Sequence, residues 1–177
     1  MKTPLFGRTY AAVDVIEKVA EDRSFELVPC YTKSDISNLQ AACDSVKKCF
    51  TELVPSVDAI YVTRQGGVNA ESIPYLVQIA HKHLIPTFSQ SGPGEVRRGF
   101  LMSISSAGGF RPAGRFFAAT MAQIFNGAKP RQLNQLFEES PSIAINLKTA
   151  EVIGFYLKAD LLAAADGIYK DIENPDE

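Results

Sequence analysis

Three short polar segments hold most of the residues that could do chemistry: Thr63-Arg64-Gln65-Gly66-Gly67, Ser89-Gln90-Ser91-Gly92-Pro93-Gly94 and Ser105-Ser106-Ala107-Gly108-Gly109-Phe110-Arg111. Each follows an apolar stretch and precedes a helical one. Glycines let backbone N–H groups approach a ligand, and the helix start beyond favours an anionic group such as carboxylate or phosphate. Arg64 and Arg111 can add bidentate contacts to the same group. Serine and glycine also make ordinary tight turns and caps. Three such loops in one chain nevertheless point to a ligand site, with Arg64, Gln65, Gly66, Ser89, Gln90, Ser105 and Ser106 as its candidate residues.

Catalytic patterns are thin. Ser89 and Ser91 have no histidine placed to activate them, and neither lies in G-x-S-x-G. No segment fits a P-loop or a dinucleotide-binding fingerprint. Glu71 and Glu95, the carboxylates nearest the loops, read as solvated helix-start residues. His81 and His83 are two apart on a predicted helix and do not share a face, so no metal site is expected. The expectation is a binding protein with no catalytic residue, metal or cofactor.

The elements that must position these loops follow from periodicity. Tyr10–Arg23, with Ala12, Val15, Ile16, Val19 and Ala20 on one face, predicts a helix. "FELVPCY" (25–31) predicts a strand. Ser34, Asp35 or Ser37 caps a helix through about Val54. "VDAIYVT" (57–63) is the next strand, followed by a helix from Asn69 to about His83. Strands at 85–89 and 99–106 come next, then a helix with Pro112 in its first turn and Gly127 and Pro130 at its end. "PSIAINLKTAEVIGFYL" reads as a strand turning into a helix, and Ala159–Ile172 as a last helix. Such alternation predicts one α/β domain over 1–177: a three-layer parallel sheet with helices on both faces and the largely apolar run "VDAIYV" at its centre.

The 177 residues are 46% hydrophobic and 21% charged, as in a soluble globular domain. The net charge of −2 and the lack of a basic stripe argue against a nucleic-acid partner. No stretch reaches the length of a membrane span, and "MKTPLFGRTYAAVD" carries no export signal. Cys30, Cys43 and Cys49 read as small buried residues, with a Cys30–Cys43 bridge or a reactive thiol as alternatives. Cys43 and Cys49 lie too far apart along one helix to bridge.

Several segments, in order, carry a resemblance. "VDAIYVTRQGGV", "IPTFSQSG…VRRGFLMSIS", "AGRFFAATMAQIFNGAKP" and "IAINLKTAEVIGF" resemble the C-terminal part of a family of ABC-transporter substrate-binding proteins, the group that includes tryptophan- and tyrosine-binding lipoproteins. The match covers roughly Val57 to Ile168, and more loosely Tyr10 to Val54. It implies one lobe of a type I periplasmic-binding-protein-like fold, within a two-lobed protein about twice as long. The other lobe would be missing, and residues 142–177 would lean back toward it. It also implies a small-molecule solute, a transporter permease as partner through the full-length protein, and a periplasmic or extracytoplasmic location for the parent family. Where that family often has Pro-Thr-Asp-Asn, whose Asp and Asn hold an amino-acid ligand, this chain has Thr63, Arg64, Gln65 and Gly66. A cation replaces the acid, and an anionic organic solute is the expectation. The alternative is a stand-alone cytoplasmic α/β enzyme or regulator using the same loops, with Ser89 or Ser91 as nucleophile.

Overall fold

The computed structural model describes residues 12–33, 37–106, 110–138 and 140–173. Its helices are α1 (Val13–Arg23), α2 (Leu39–Leu53), α3 (Ile73–Lys82), α4 (Pro93–Arg97), α5 (Phe110–Phe125), α6 (Leu147–Ile153) and α7 (Ala159–Ala163). Its strands are β1 (Ile60–Val62), β2 (Thr87–Ser89), β3 (Met102–Ser106), β4 (Pro141–Asn146) and β5 (Gly167–Tyr169). They form one five-stranded sheet in the order β1-β2-β3-β4-β5. The pairs β1–β2, β2–β3 and β4–β5 are parallel, and β3–β4 is antiparallel.

Local signals account for most of these elements. The Asn38 side chain accepts the Ala41 N–H at 3.0 Å and caps α2, whose buried face is Ala42, Cys43, Val46, Cys49 and Phe50. The cap is Asn38 rather than the expected Ser37, and Ser34 and Asp35, the other two expected caps, lie outside the described residues. Pro74 opens α3, which buries Ile73, Leu76, Val77 and Ala80. Together α2 and α3 close a core with Ile60 and Val62 of β1, Ile85 and Phe100. Phe100 and Leu76 are fully buried, each contributing about 1.5–3 kcal/mol. Phe88 and Met102 point to the opposite face of the sheet, where they pack with Leu101, Ala150 and Ile153.

Four expectations are corrected. The strand 57–63 is shorter, and β1 lies at the sheet edge rather than the centre, with Tyr61 51% exposed. Ile60 N–H and Val62 C=O both bond toward β2, so the polar groups of Tyr61 face away from it. The strand predicted at 25–31 does not form; the Phe25 N–H closes the end of α1, and Phe25, Leu27, Val28 and Tyr31 remain exposed. Apolar β-branched composition marks a potential strand, but only a neighbouring ladder makes one.

The sheet is not wholly parallel because α5 does not fold back across it. No described side chain of 111–125 is buried, and the chain returns at Pro141 opposite Ser106, so β4 runs back along β3. Nor is 159–172 one helix. The Asp166 carboxylate accepts the Ile143 N–H at 2.9 Å and the Asp166 N–H bonds the Ile143 carbonyl, which docks Gly167 onwards as β5.

Cysteine usage differs as well. Cys30 and Cys49 form a disulfide with a Cα–Cα distance of 5.7 Å, and Cys43 is the free, buried one. Six residues along a helix amount to roughly 600° of rotation, so Cys43 and Cys49 point in different directions. Cys43 faces Asn69, and Cys49 faces the 25–33 segment. Thiol titration of the denatured, unreduced chain should therefore find one thiol, and all three only after reduction. Three thiols without reductant would refute the bridge.

Candidate functional site

The three parallel strands deliver their C-terminal ends to one side of the sheet, the side where α/β proteins bind ligands. The loop after β1 is knit by its own polar groups. Asn69 donates to the Gly66 carbonyl at 3.0 Å and accepts the Glu71 N–H at 3.0 Å, while the buried Ser72 hydroxyl donates to the Gly67 carbonyl at 2.6 Å. Gly67 is needed for packing rather than for a ligand. A Cβ there would stand 2.5 Å from the Ala42 carbonyl oxygen of α2.

Bonds between loops draw the rim together. The Arg64 N–H donates to Gln90 Oε1 at 3.2 Å, and Arg64 Nη2 reaches the Ser91 carbonyl at 3.5 Å. The Gln90 N–H bonds back to the Val62 carbonyl at 3.0 Å. Gly92 has φ +117°, and a Cβ on it would sit 3.0 Å from Ser105 Oγ. Arg64, Gln90, Ser91, Gly92 and Ser105 thus form one continuous line across three strand ends.

Other candidates are placed differently. Ser89 is buried; its hydroxyl donates to Glu95 Oε2 and accepts the Ser91 N–H at 2.9 Å. The Gln65 side chain turns to the Thr32 hydroxyl, and the Gly66 carbonyl is taken by Asn69. Ser106 ends β3, and residues 107–109 of the third loop lie outside the described residues. Arg111 is exposed in the first turn of α5.

Glu95 overturns its expected role as a solvated helix-start residue, since it is only 9% exposed. Burial raises its carboxyl above the ordinary value of 4.5, against the opposing pull of Ser89, Ser91, Arg64 and Arg98. The sequence gives little warning, because a six-residue separation from Ser89 matches no regular period. Among the described residues no cluster of His, Cys, Asp or Glu could hold a metal. A depression of about 420 Å³ lies elsewhere, lined by Phe155, Tyr156, Lys158, Asp160, Leu161 and Ala164. No described helix is long and apolar enough to cross a membrane.

With this geometry, the chain has a mixed α/β fold that solved structures share. It is similar to a ligand-free, open substrate-binding protein with adhesive properties from Clostridium difficile, at 19% identity and TM-score 0.67, over 96% of this chain and 52% of that one. It is also similar to an ABC domain in complex with L-Trp from Streptococcus pneumonia (20%, 0.61, 89% and 50%). A conserved domain protein from Vibrio cholerae gives 23%, 0.58, 89% and 50%. The chain spans about half the length of these structures. No protein-family model matches it. No curated protein matches it either.

The raised carboxyl of Glu95 links stability to pH. A folded value above the unfolded one gives stabilisation that is complete below the unfolded value and is lost as pH rises through the folded value. In urea unfolding from pH 4 to 8, wild type should therefore lose stability relative to Glu95→Gln as the pH rises. A difference that does not change with pH would rule out the raised carboxyl.

Proposed function

We propose that this chain is the C-terminal lobe of an extracytoplasmic solute-binding protein of an ABC-type uptake transporter, holding a small organic anion without turnover. The observation that carries this reading is the rim itself. Arg64 stands exposed at the end of β1, steadied by Gln90 and the Ser91 carbonyl, with Ser105 in line beyond. Glu95 lies beneath and is engaged with Ser89, so the described rim offers a guanidinium rather than a carboxylate.

Four further features support it. Of the similar solved structures, one is a substrate-binding protein and another an ABC domain in complex with L-Trp, and each is about twice as long. Helix α5 leaves and re-enters the sheet at the rim side, with Phe117, Met121 and Phe125 exposed, as expected if a second lobe covers it. Exposed Phe155 and Tyr156 within 142–177 fit the same covering lobe. The Cys30–Cys49 disulfide suits an oxidising compartment. A transporter permease would be the partner of the whole protein. The alternative, an enzyme with Ser89 as nucleophile, is disfavoured by the burial of that hydroxyl at 2% exposure.

Two measurements on the two-lobed protein test this. Calorimetry with aliphatic and aromatic carboxylates, inorganic phosphate and neutral sugars should select a carboxylate or phosphate, and Arg64→Ala should weaken it by about 1.5–3 kcal/mol, the range for a hydrogen bond to a charged group. A neutral best ligand, or a change below about 0.5 kcal/mol, would remove Arg64 from the site. Deuterium exchange in α5 should be at least about tenfold slower with the second lobe present than in this chain alone. Equal rates would mean that no lobe covers it.

A further inference from the structure

The Arg64 guanidinium is held at the rim by one carbonyl, that of Ser91. The residue that carries this carbonyl is tied down from underneath. The Ser91 N–H donates to Ser89 Oγ at 2.9 Å, and the Ser89 hydroxyl donates onward to Glu95 Oε2. Ser89 thereby spends its donor on the carboxyl and an acceptor site on the peptide, leaving the turn a single favourable orientation. Gln90, between the two serines, is aimed back at the Arg64 N–H by the same turn. A polar chain thus runs from a buried carboxyl to an exposed cation.

We propose that Glu95 is the positioning residue of this rim, setting through Ser89 and Ser91 where the Arg64 guanidinium stands. The proposal deepens the ligand-jaw reading and rests on it for its consequence in binding, but the chain of contacts can be tested with no solute present.

The chemistry gives the device a direction. While Glu95 holds its proton, its attraction for Arg64 is weak, and the guanidinium keeps its charge for an incoming anion. Once ionised in a partly dry setting, the carboxylate competes for that charge and repels the anion. Burial keeps the proton on Glu95 to a higher pH than usual. The other groups around α4 do not duplicate the role. Arg98 is the second cation acting on Glu95. Arg97 pairs with Glu173 at 3.8 Å and lies over the Tyr169 ring of β5. Ser103 of β3 and Asn146 of β4 are uncharged and buried. Solute affinity at this rim should therefore fall as pH rises through the Glu95 titration.

The experiment is nitrogen-detected NMR of the Arg64 side chain in this chain alone, with amide exchange read at Ser91, across pH 4 to 8. In wild type the Arg64 Nε–H signal should shift with a midpoint above that of an exposed glutamate. Glu95→Gln, which keeps a hydrogen-bonding group, should retain the Ser91 protection and lose the pH-dependent shift. Ser89→Ala should release the Ser91 amide at least about tenfold, because its acceptor is gone, and collapse the Arg64 guanidinium signals to an averaged position. A purely structural Glu95 would change stability without producing a pH-dependent shift of the Arg64 Nε–H signal. An unchanged shift in Glu95→Gln, or unaltered Arg64 signals in Ser89→Ala, would overturn the proposal. Failure to find an anionic solute would count against the function but would leave these signals as they are.

Discussion

The fold depends most on one buried amide. Asn146 is fully buried at the end of β4, and each polar group of its side chain is used. Its Nδ2 donates to the carbonyls of Val96 in α4 at 2.9 Å and of Asp171 beyond β5 at 3.0 Å. Its Oδ1 accepts the Thr149 N–H at 2.8 Å and caps α6, and its own N–H bonds the Leu101 carbonyl ahead of β3. Thr149 repeats the device by donating its hydroxyl to the Gly99 carbonyl at 2.9 Å. A buried amide left with an unmatched donor or acceptor costs about 1–3 kcal/mol per group, so four segments are held in register by a side chain that no aliphatic residue could replace. The antiparallel strand, the capped helix and the C-terminal segment are all referred to this point. So is α4, the helix that carries Glu95.

Much of the architecture was legible because it is local. The α2, α3 and α5 helices announce themselves through apolar spacing and well-placed prolines, and the polar loops follow their strands as βα turns require. What stayed hidden is long-range. The residues 25–31 look like a strand, but they lack a ladder partner among the described elements. "VDAIYV" looks central, yet its apolarity reports burial by α2 and α3 rather than a neighbour on each side. The antiparallel return of β4 depends on α5 leaving the sheet, and the amphipathic spacing of that helix is the same whether or not the chain folds back over its own sheet. Cys30 meets Cys49 rather than Cys43 because of helix phase and the path of a loop, and spacing alone did not settle which cysteine it would meet.

The candidate site shows the same division. That Arg64, Gln90 and Ser105 stand at or near strand ends could be read from residue types, since glycine and serine after apolar runs mark βα turns. The inward turn of Ser89 could not, because it depends on a carboxyl six residues later being tucked beneath the strand end by α4. Gly67 misleads in the other direction. It sits in a ligand-like loop, but the space it leaves is filled by the Ala42 carbonyl of α2.

These contacts tie the described part of the rim together. Arg64 and Gln90 are tied between loops, the Ser89–Gly92 turn is tied down to Glu95, and the Gln65 side chain is tied to Thr32. Thr32 in turn follows Cys30, which the disulfide fastens to Cys49 of α2, and the Lys33 N–H bonds Ser45 Oγ on the same helix at 2.9 Å. The bridge thus braces the far side of the loop that presents Arg64, although it touches no candidate ligand contact. A preorganised rim of this kind avoids ordering costs on binding. If this rim is the proposed ligand jaw, its first two loops, each committed to a neighbour, do not close by themselves. Any closure around a solute must then be a rigid-body approach of something else toward the rim. The exposed side chains of α5 and of the Phe155–Tyr156 turn fit such an approach.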